Sequence, residues 1–218
     1  MTTLFVHGAW HGGWCWDDVL PLVPDSRAID LPSVHAGGAY ADDVAAVRAA
    51  LDEMDAPVTL VGHSYGGAVI SEAGTHPNVG HLVFLCAFAL DAGETVLTNG
   101  APPTPPTTLS GAIRIDGDQI SVDPEGAVAA FYADCTTQPV DRLRSMDVAA
   151  FGVPVAQPAW KTVPSTYVVC TQDQAIHPDV QRFLAARCTN TVELDASHSP
   201  MLSMPGRVSE IVNDCHTS

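Results

Sequence analysis

Short apolar runs rich in β-branched residues recur along the chain and alternate with stretches whose apolar positions fall at helical spacing. Residues 2–6, 27–29, 58–61, 81–85, 166–170 and 191–194 read as strands, because runs of this length and composition suit a pleated, buried surface. Residues 39–54 place Val44, Val47 and Leu51 on one helical face. Residues 64–74, 178–187 and 205–215 read as further helices, and Pro178 and Pro205 suit a first helical turn. This alternation predicts an α/β fold with a mostly parallel six-stranded sheet and helices on both faces.

The alternation fails once. Residues 91–161 separate the fourth strand from the fifth, far more than the roughly dozen residues a crossover needs. They open with a Pro/Thr-rich stretch at 101–108, then alternate apolar and polar positions over 113–122 around Asp116-Gly117, a hairpin pattern. Residues 124–134 and 140–146 read as helices. An insertion leaving the C-terminal end of a strand stands where it would cover a ligand crevice. The expectation is one domain over residues 1–218, with a lid at 91–161.

The densest chemistry lies at Gly62-His63-Ser64-Tyr65-Gly66. A G-x-S-x-G pattern is weak alone, but here it follows an apolar strand and opens a helix, which puts the serine hydroxyl on an exposed, tight turn. A serine needs a base, and the base needs an orienting acceptor. His198 follows the last strand and Asp173 the one before it. A parallel sheet gathers such strand ends at one edge, so Ser64, Asp173 and His198 form a candidate catalytic set. Asp91 and Asp195 are rival acids, and Asp195 sits too close in sequence to His198 to bridge easily. His63 adjoins the nucleophile, where neighbouring side chains diverge. His7, His11, His35, His76, His81, His177 and His216 read as hydrogen-bonded or solvated. Backbone N–H groups of Tyr65 and of Ala9, in the glycine-rich loop after the first strand, are the candidate oxyanion donors.

Composition narrows the partners. The chain has 218 residues, 25 acidic against 9 basic, and a formal net charge of −16, which repels nucleic acid and anionic membrane surfaces. Neutral or cationic small molecules remain, with a second copy of the chain as the macromolecular partner left open. The six cysteines show no C-x-x-C pair and read as reduced and structural. No run approaches the ~20 apolar residues of a membrane span, and the start lacks a secretory-leader pattern, so the expectation is a soluble, cytoplasmic protein.

These stretches resemble the α/β-hydrolase superfamily. They resemble more narrowly its small carboxylesterase branch of methyl-salicylate-type esterases, hydroxynitrile lyases and pyrethroid-type esterases. The resemblance is carried by residues 5–14, 61–67, 131–135 (Phe131-Tyr132-Ala133-Asp134-Cys135), 164–173 and Ser197-His198. It implies the same Ser64, Asp173 and His198 set and the same donors, Ala9 and Tyr65. The lyases of this branch carry a threonine at the position of Gly8 and a lysine after the histidine, where this chain has Ser199. The expected activity is therefore a carboxylesterase-type serine hydrolase acting on an apolar or aromatic ester or lactone through an acyl-enzyme, with no cofactor and no metal. The alternatives are a lyase or biosynthetic cyclase on the same fold, or a non-catalytic small-molecule binder. Trp10, Trp14, Phe88, Phe131, Tyr132 and Trp160 are the candidate pocket residues.

Overall fold

A computed structural model describes residues 2–35 and 37–216. Six strands form one sheet: β1 (Thr2–Val6), β2 (Ser26–Ile29), β3 (Val58–His63), β4 (Val79–Leu85), β8 (Ser165–Cys170) and β9 (Asn190–Leu194). Their spatial order is β2-β1-β3-β4-β8-β9, and every pairing is parallel. The central strands are buried on both faces, which is why they read as continuous apolar runs.

Alternation along each strand splits the core in two. Leu4, Val6, Leu60 and Phe84 face α2 (Tyr40–Asp52) and α3 (Tyr65–Ala73), whose Val47, Leu51, Val69 and Ile70 join that cluster. Phe5, Val61, Val83 and Val168 face the other way, onto Trp16 and onto Val208 and Val212 of α8 (Pro205–Asp214). Two short helices, α1 (Pro32–His35) and α7 (Pro200–Ser203), and α6 (Pro178–Ala185) complete the layers. All six cysteines are free, and no helix among the described residues is long and apolar enough to cross a membrane.

The insertion holds α4 (Thr108–Ala112), the antiparallel hairpin β5 (Ile113–Asp116) and β6 (Gln119–Val122), and α5 (Pro124–Phe131). Residues 140–146 differ from the helix expected there. Val140–Arg142 is a single 3-10 turn, and the chain then extends into β7 (Met146–Asp147), which pairs with Gln119 and Ile120 of β6. The helical spacing was misleading because Met146 is buried through a strand partner over twenty residues away. Two backbone bonds, Gly93 N–H to Val155 O (2.9 Å) and Val155 N–H to Glu94 O (3.0 Å), close the neck. Arg187 beyond α6 grips Glu94 through both its terminal nitrogens, at 2.6 and 2.8 Å.

Candidate active site

Three non-glycine residues with positive φ cluster at the C-terminal edge of the sheet: Trp10 (64°) after β1, Ser64 (52°) after β3 and Cys86 (38°) after β4. Backbone held in this region is strained, and such strain collects at functional sites. Ser64, at φ 52° and ψ −119°, is the hinge between β3 and α3. The turn is tight enough that a Cβ on Gly62 would stand 2.7 Å from Gly66 O, and one on Gly66 would stand 2.6 Å from His7 O. Only hydrogen fits at either place.

His198 follows β9, and its Nδ1 lies 2.7 Å from Asp173 Oδ2. Asp173 is fully buried, and its carboxylate is surrounded by donors. Ala175 N–H (2.7 Å) and Ile176 N–H (3.0 Å) meet Oδ1, while the Gln181 amide (2.7 Å) and His198 meet Oδ2. Four N–H groups on two oxygens satisfy a carboxylate and fix Nδ1 as the protonated nitrogen of His198, which leaves the Nε2 lone pair to accept a proton. Among the described residues no hydrogen bond joins the Ser64 hydroxyl to His198.

His63 lies against His198, ring centroids 4.7 Å apart, and its Nε2 donates to the His198 carbonyl at 2.8 Å. Cys86 Sγ reaches the same carbonyl at 3.4 Å. Ligating atoms of His63, Cys86 and His198 fall within 4.8 Å of one another, so this trio is where a metal could be held. The hydrogen bonds described already occupy His63 Nε2, Cys86 Sγ and His198 Nδ1. Burial pushes the His63 pKa well below its ordinary value, which keeps the ring neutral and leaves Nδ1 buried without a partner.

The loop after β1 is held by two further histidines. His7 Nδ1 donates to Gly8 O (2.8 Å), and its Nε2 accepts from Leu31 N–H (2.9 Å). The Gly8 carbonyl belongs to the same peptide plane as the Ala9 N–H, so fixing one aims the other in the opposite direction. His11 Nδ1 donates to Ala9 O (2.8 Å) and its Nε2 accepts from the Tyr132 hydroxyl (2.9 Å). Burial, the largest influence, pushes His11 down to about 3. Tyr65 is the first residue of α3, so its N–H has no acceptor within its own helix. Its hydroxyl is tied to the buried Asp43 at 2.8 Å.

A cavity of about 150 Å³ opens beside Ser64, Ala9 and Tyr65. Its walls are apolar, with Val96, Leu109, Ile120 and Phe151 from the insertion facing Ala175 and Ile176 from the Asp173 loop. Trp10 and Phe88 line it. Trp14, Phe131, Tyr132 and Trp160 do not. Trp14 stacks on His11 beneath Arg142. Tyr132 spends its hydroxyl on His11, Trp160 donates to Leu90 O (2.7 Å), and Phe131 packs its ring 5.6 Å from that of His198.

Of the rival acids, Asp91 is paired with Lys161, and Asp195 accepts from Thr171 and Gln172 at the surface. His76, His81 and His216 bond Asp52, Thr166 and Thr3, His177 caps α6, and the His35 side chain lies outside the described residues. The sequence reading missed the residues that brace the site. Gln181 carried no signal, whereas Asp134 sat inside a noted motif. Asp134 accepts from Ser197 N–H at 2.9 Å and from the Ser197 hydroxyl, one residue before His198.

A parallel sheet, a strained serine at a strand-to-helix turn and a carboxylate-bound histidine after the last strand occur in order along one chain, and a family profile matches residues 3–211. The chain belongs to the alpha/beta hydrolase family. It is 27% identical to norfluorocurarine synthase 1 of Strychnos nux-vomica, over 97% of this chain and 93% of that protein. It is 31% identical to a carbendazim hydrolyzing esterase of a Nocardioides strain, over 47% of this chain and 48% of that one. The crystal structure of a pyrethroid hydrolase from Sphingobium faniae superposes with a TM-score of 0.88 at 26% identity, covering 100% of this chain and 98% of that chain. This alpha/beta hydrolase therefore has esterases among its relatives.

Proposed function

We propose that this alpha/beta hydrolase is a serine carboxylesterase that cleaves apolar or aromatic esters through an acyl-enzyme. The observation that carries the reading is the pairing of His198 Nδ1 with the buried Asp173 behind a serine held at φ 52° on the rim of an apolar cavity. Ser64 Oγ attacks the ester carbonyl, and its proton passes to His198 Nε2. The N–H groups of Ala9 and Tyr65 hold the oxyanion, each such donor contributing about 3 kcal/mol to the transition state. Collapse breaks the ester C–O bond, His198 returns the proton to the departing alcohol, and water repeats the sequence to free the acid. Catalytic hydrogen bonds are often long in unliganded enzymes and tighten on substrate binding, which fits the absent Ser64–His198 bond. Residues 91–161 act as the lid that walls the cavity.

A fluorophosphonate is expected to label Ser64 stoichiometrically, and Ser64→Ala to abolish both labelling and turnover of short p-nitrophenyl esters. Turnover near wild type in Ser64→Ala would overturn the assignment. A non-hydrolytic reaction at the same serine is the second reading, favoured by one observation: a relative matching along nearly its whole length is named a synthase. Product analysis against a panel of esters separates the two.

A further inference from the structure

The chemistry above leaves the Pro/Thr-rich stretch 101–108 without a role, yet it walls a second cavity of about 280 Å³. Phe88, Val96, Ala175 and Ile176 line both this cavity and the one at Ser64, so the two abut across four side chains. The inner cavity is apolar and closed over by the lid. The outer one is bordered by the exposed Pro105, Pro106 and Ser110 and so faces solvent. Its position is tied to the catalytic acid. Ala175 and Ile176 donate their N–H groups to Asp173, the Thr107 hydroxyl donates to Ala175 O (3.3 Å), and Leu109 N–H donates to Gln174 O (3.0 Å).

The outer lining contains no Asp, Glu, Lys or Arg; its polar groups are hydroxyls, one amide and one imidazole. Most are already used. The Asn99 side chain bonds Val96 O and Ala101 N–H, and the Ser110 hydroxyl bonds Thr107 O. The Thr104 hydroxyl and His177 Nε2 bond no other described residue. The Thr104 hydroxyl can donate or accept, whereas His177, whose Nδ1 accepts from Asp179 N–H, presents Nε2–H as a donor. With no charged lining residue, this pair matches a hydroxyl-bearing ligand and discriminates against an ammonium or a carboxylate.

We propose, resting on the esterase reading, that the two cavities form a bipartite substrate site. The inner one takes a compact apolar acyl group, and the outer one takes a neutral alcohol moiety whose own hydroxyl is read by Thr104 and His177. The assignment of halves follows from the reaction order. The acyl group stays on Ser64 after the alcohol has left, so the enclosed space suits the acyl half and the open space the half released first. A void of about 150 Å³ accommodates a ring the size of benzene.

The test compares 4-hydroxybutyl benzoate with pentyl benzoate, which differ by a terminal hydroxyl against a methyl, as a ratio of kcat/KM. The ratio is expected to exceed one in the wild type and to fall about fivefold in Thr104→Val and in His177→Phe, the loss of one neutral hydrogen bond in each. An unchanged ratio in both variants overturns the proposal. Fluorophosphonate labelling of Ser64 reports the esterase reading separately. If Ser64 is unlabelled and neither ester is cleaved, calorimetric titration of Ser64→Ala protein with 4-hydroxybutyl benzoate still decides. Binding that Thr104→Val weakens supports the bipartite site, while no binding, or binding that both variants leave intact, refutes it.

Discussion

Gln181→Glu tests the donor cage around Asp173 most directly. Gln181 is fully buried on α6, and each of its polar atoms is used: the amide nitrogen donates to Asp173 Oδ2 (2.7 Å) and Ile176 O (2.8 Å), and the amide oxygen accepts from Cys170 N–H (2.9 Å). Glutamate keeps the acceptor but turns the donor into an oxygen aimed at a carboxylate. It is tolerated there only as the neutral acid, which restores one bond to Asp173 and forfeits the one to Ile176. Burial and the facing like charge both raise its folded-state pKa above the unfolded value of about 4.3. The folded variant then binds more protons than the unfolded one above that pH, so its stability falls as pH rises, by about 1.4 kcal/mol per unit until the folded pKa is passed. The stability gap to wild type, from urea unfolding, is expected to widen by about 2.7 kcal/mol between pH 5 and 7, on top of about 1 kcal/mol for the lost Ile176 contact. Gln181→Met, which removes all three bonds without adding a titratable group, is expected to leave a gap independent of pH. A constant gap for Gln181→Glu would show that its side chain does not face the Asp173 carboxylate.

Acid should act on the site through its buried histidines. Burial holds the His11 pKa at about 3 and that of His63 well below normal, so both stay neutral in the fold but protonate near pH 6.5 when unfolded. The stability they support is complete above that value and falls as pH drops below it, and His11 alone accounts for roughly 2 kcal/mol between pH 6.5 and 5. Urea unfolding of His11→Asn should lose that part of the pH dependence, and an unaltered dependence would count against it. Gly8→Ala places a methyl 2.9 Å from both His63 Nδ1 and Ser64 Cβ, and overpacking of this kind destabilises by about 1–3 kcal/mol. It should also lower kcat at least tenfold, measured per labelled serine, and an unimpaired kcat would contradict the close approach. Asp134→Ala frees Ser197 beside His198. A kcat reduced about tenfold, with KM within twofold and partial recovery in Asp134→Asn, is the expected kinetic pattern.

How far the site could be read beforehand depended on where each residue's partner lies in the chain. β3, Ser64 and its flanking glycines form one continuous stretch, so the run of apolar residues and the close approach of Gly62 to Gly66 leave a local mark. Asp173 and His198 were legible for a related reason, because a parallel sheet gathers strand ends whatever the intervening sequence. The cavity followed no such rule. Its insertion walls are mainly aliphatic side chains from separate stretches of 96–151, brought together by the β5–β6–β7 sheet. Four of the aromatic residues expected there are turned aside by particular polar or ring contacts, Tyr132 by His11 and Trp160 by Leu90 O among them. Aromatic character tells that a side chain will be buried but not which neighbour buries it. The same distinction separates chemistry from selectivity in this fold. In the proposed mechanism the reacting groups Ser64, Asp173 and His198 sit at positions imposed by the sheet, whereas the apolar cavity is walled by pairings within residues 91–161. Exchanging that insertion should therefore change which ester is accepted far more than how it is cleaved.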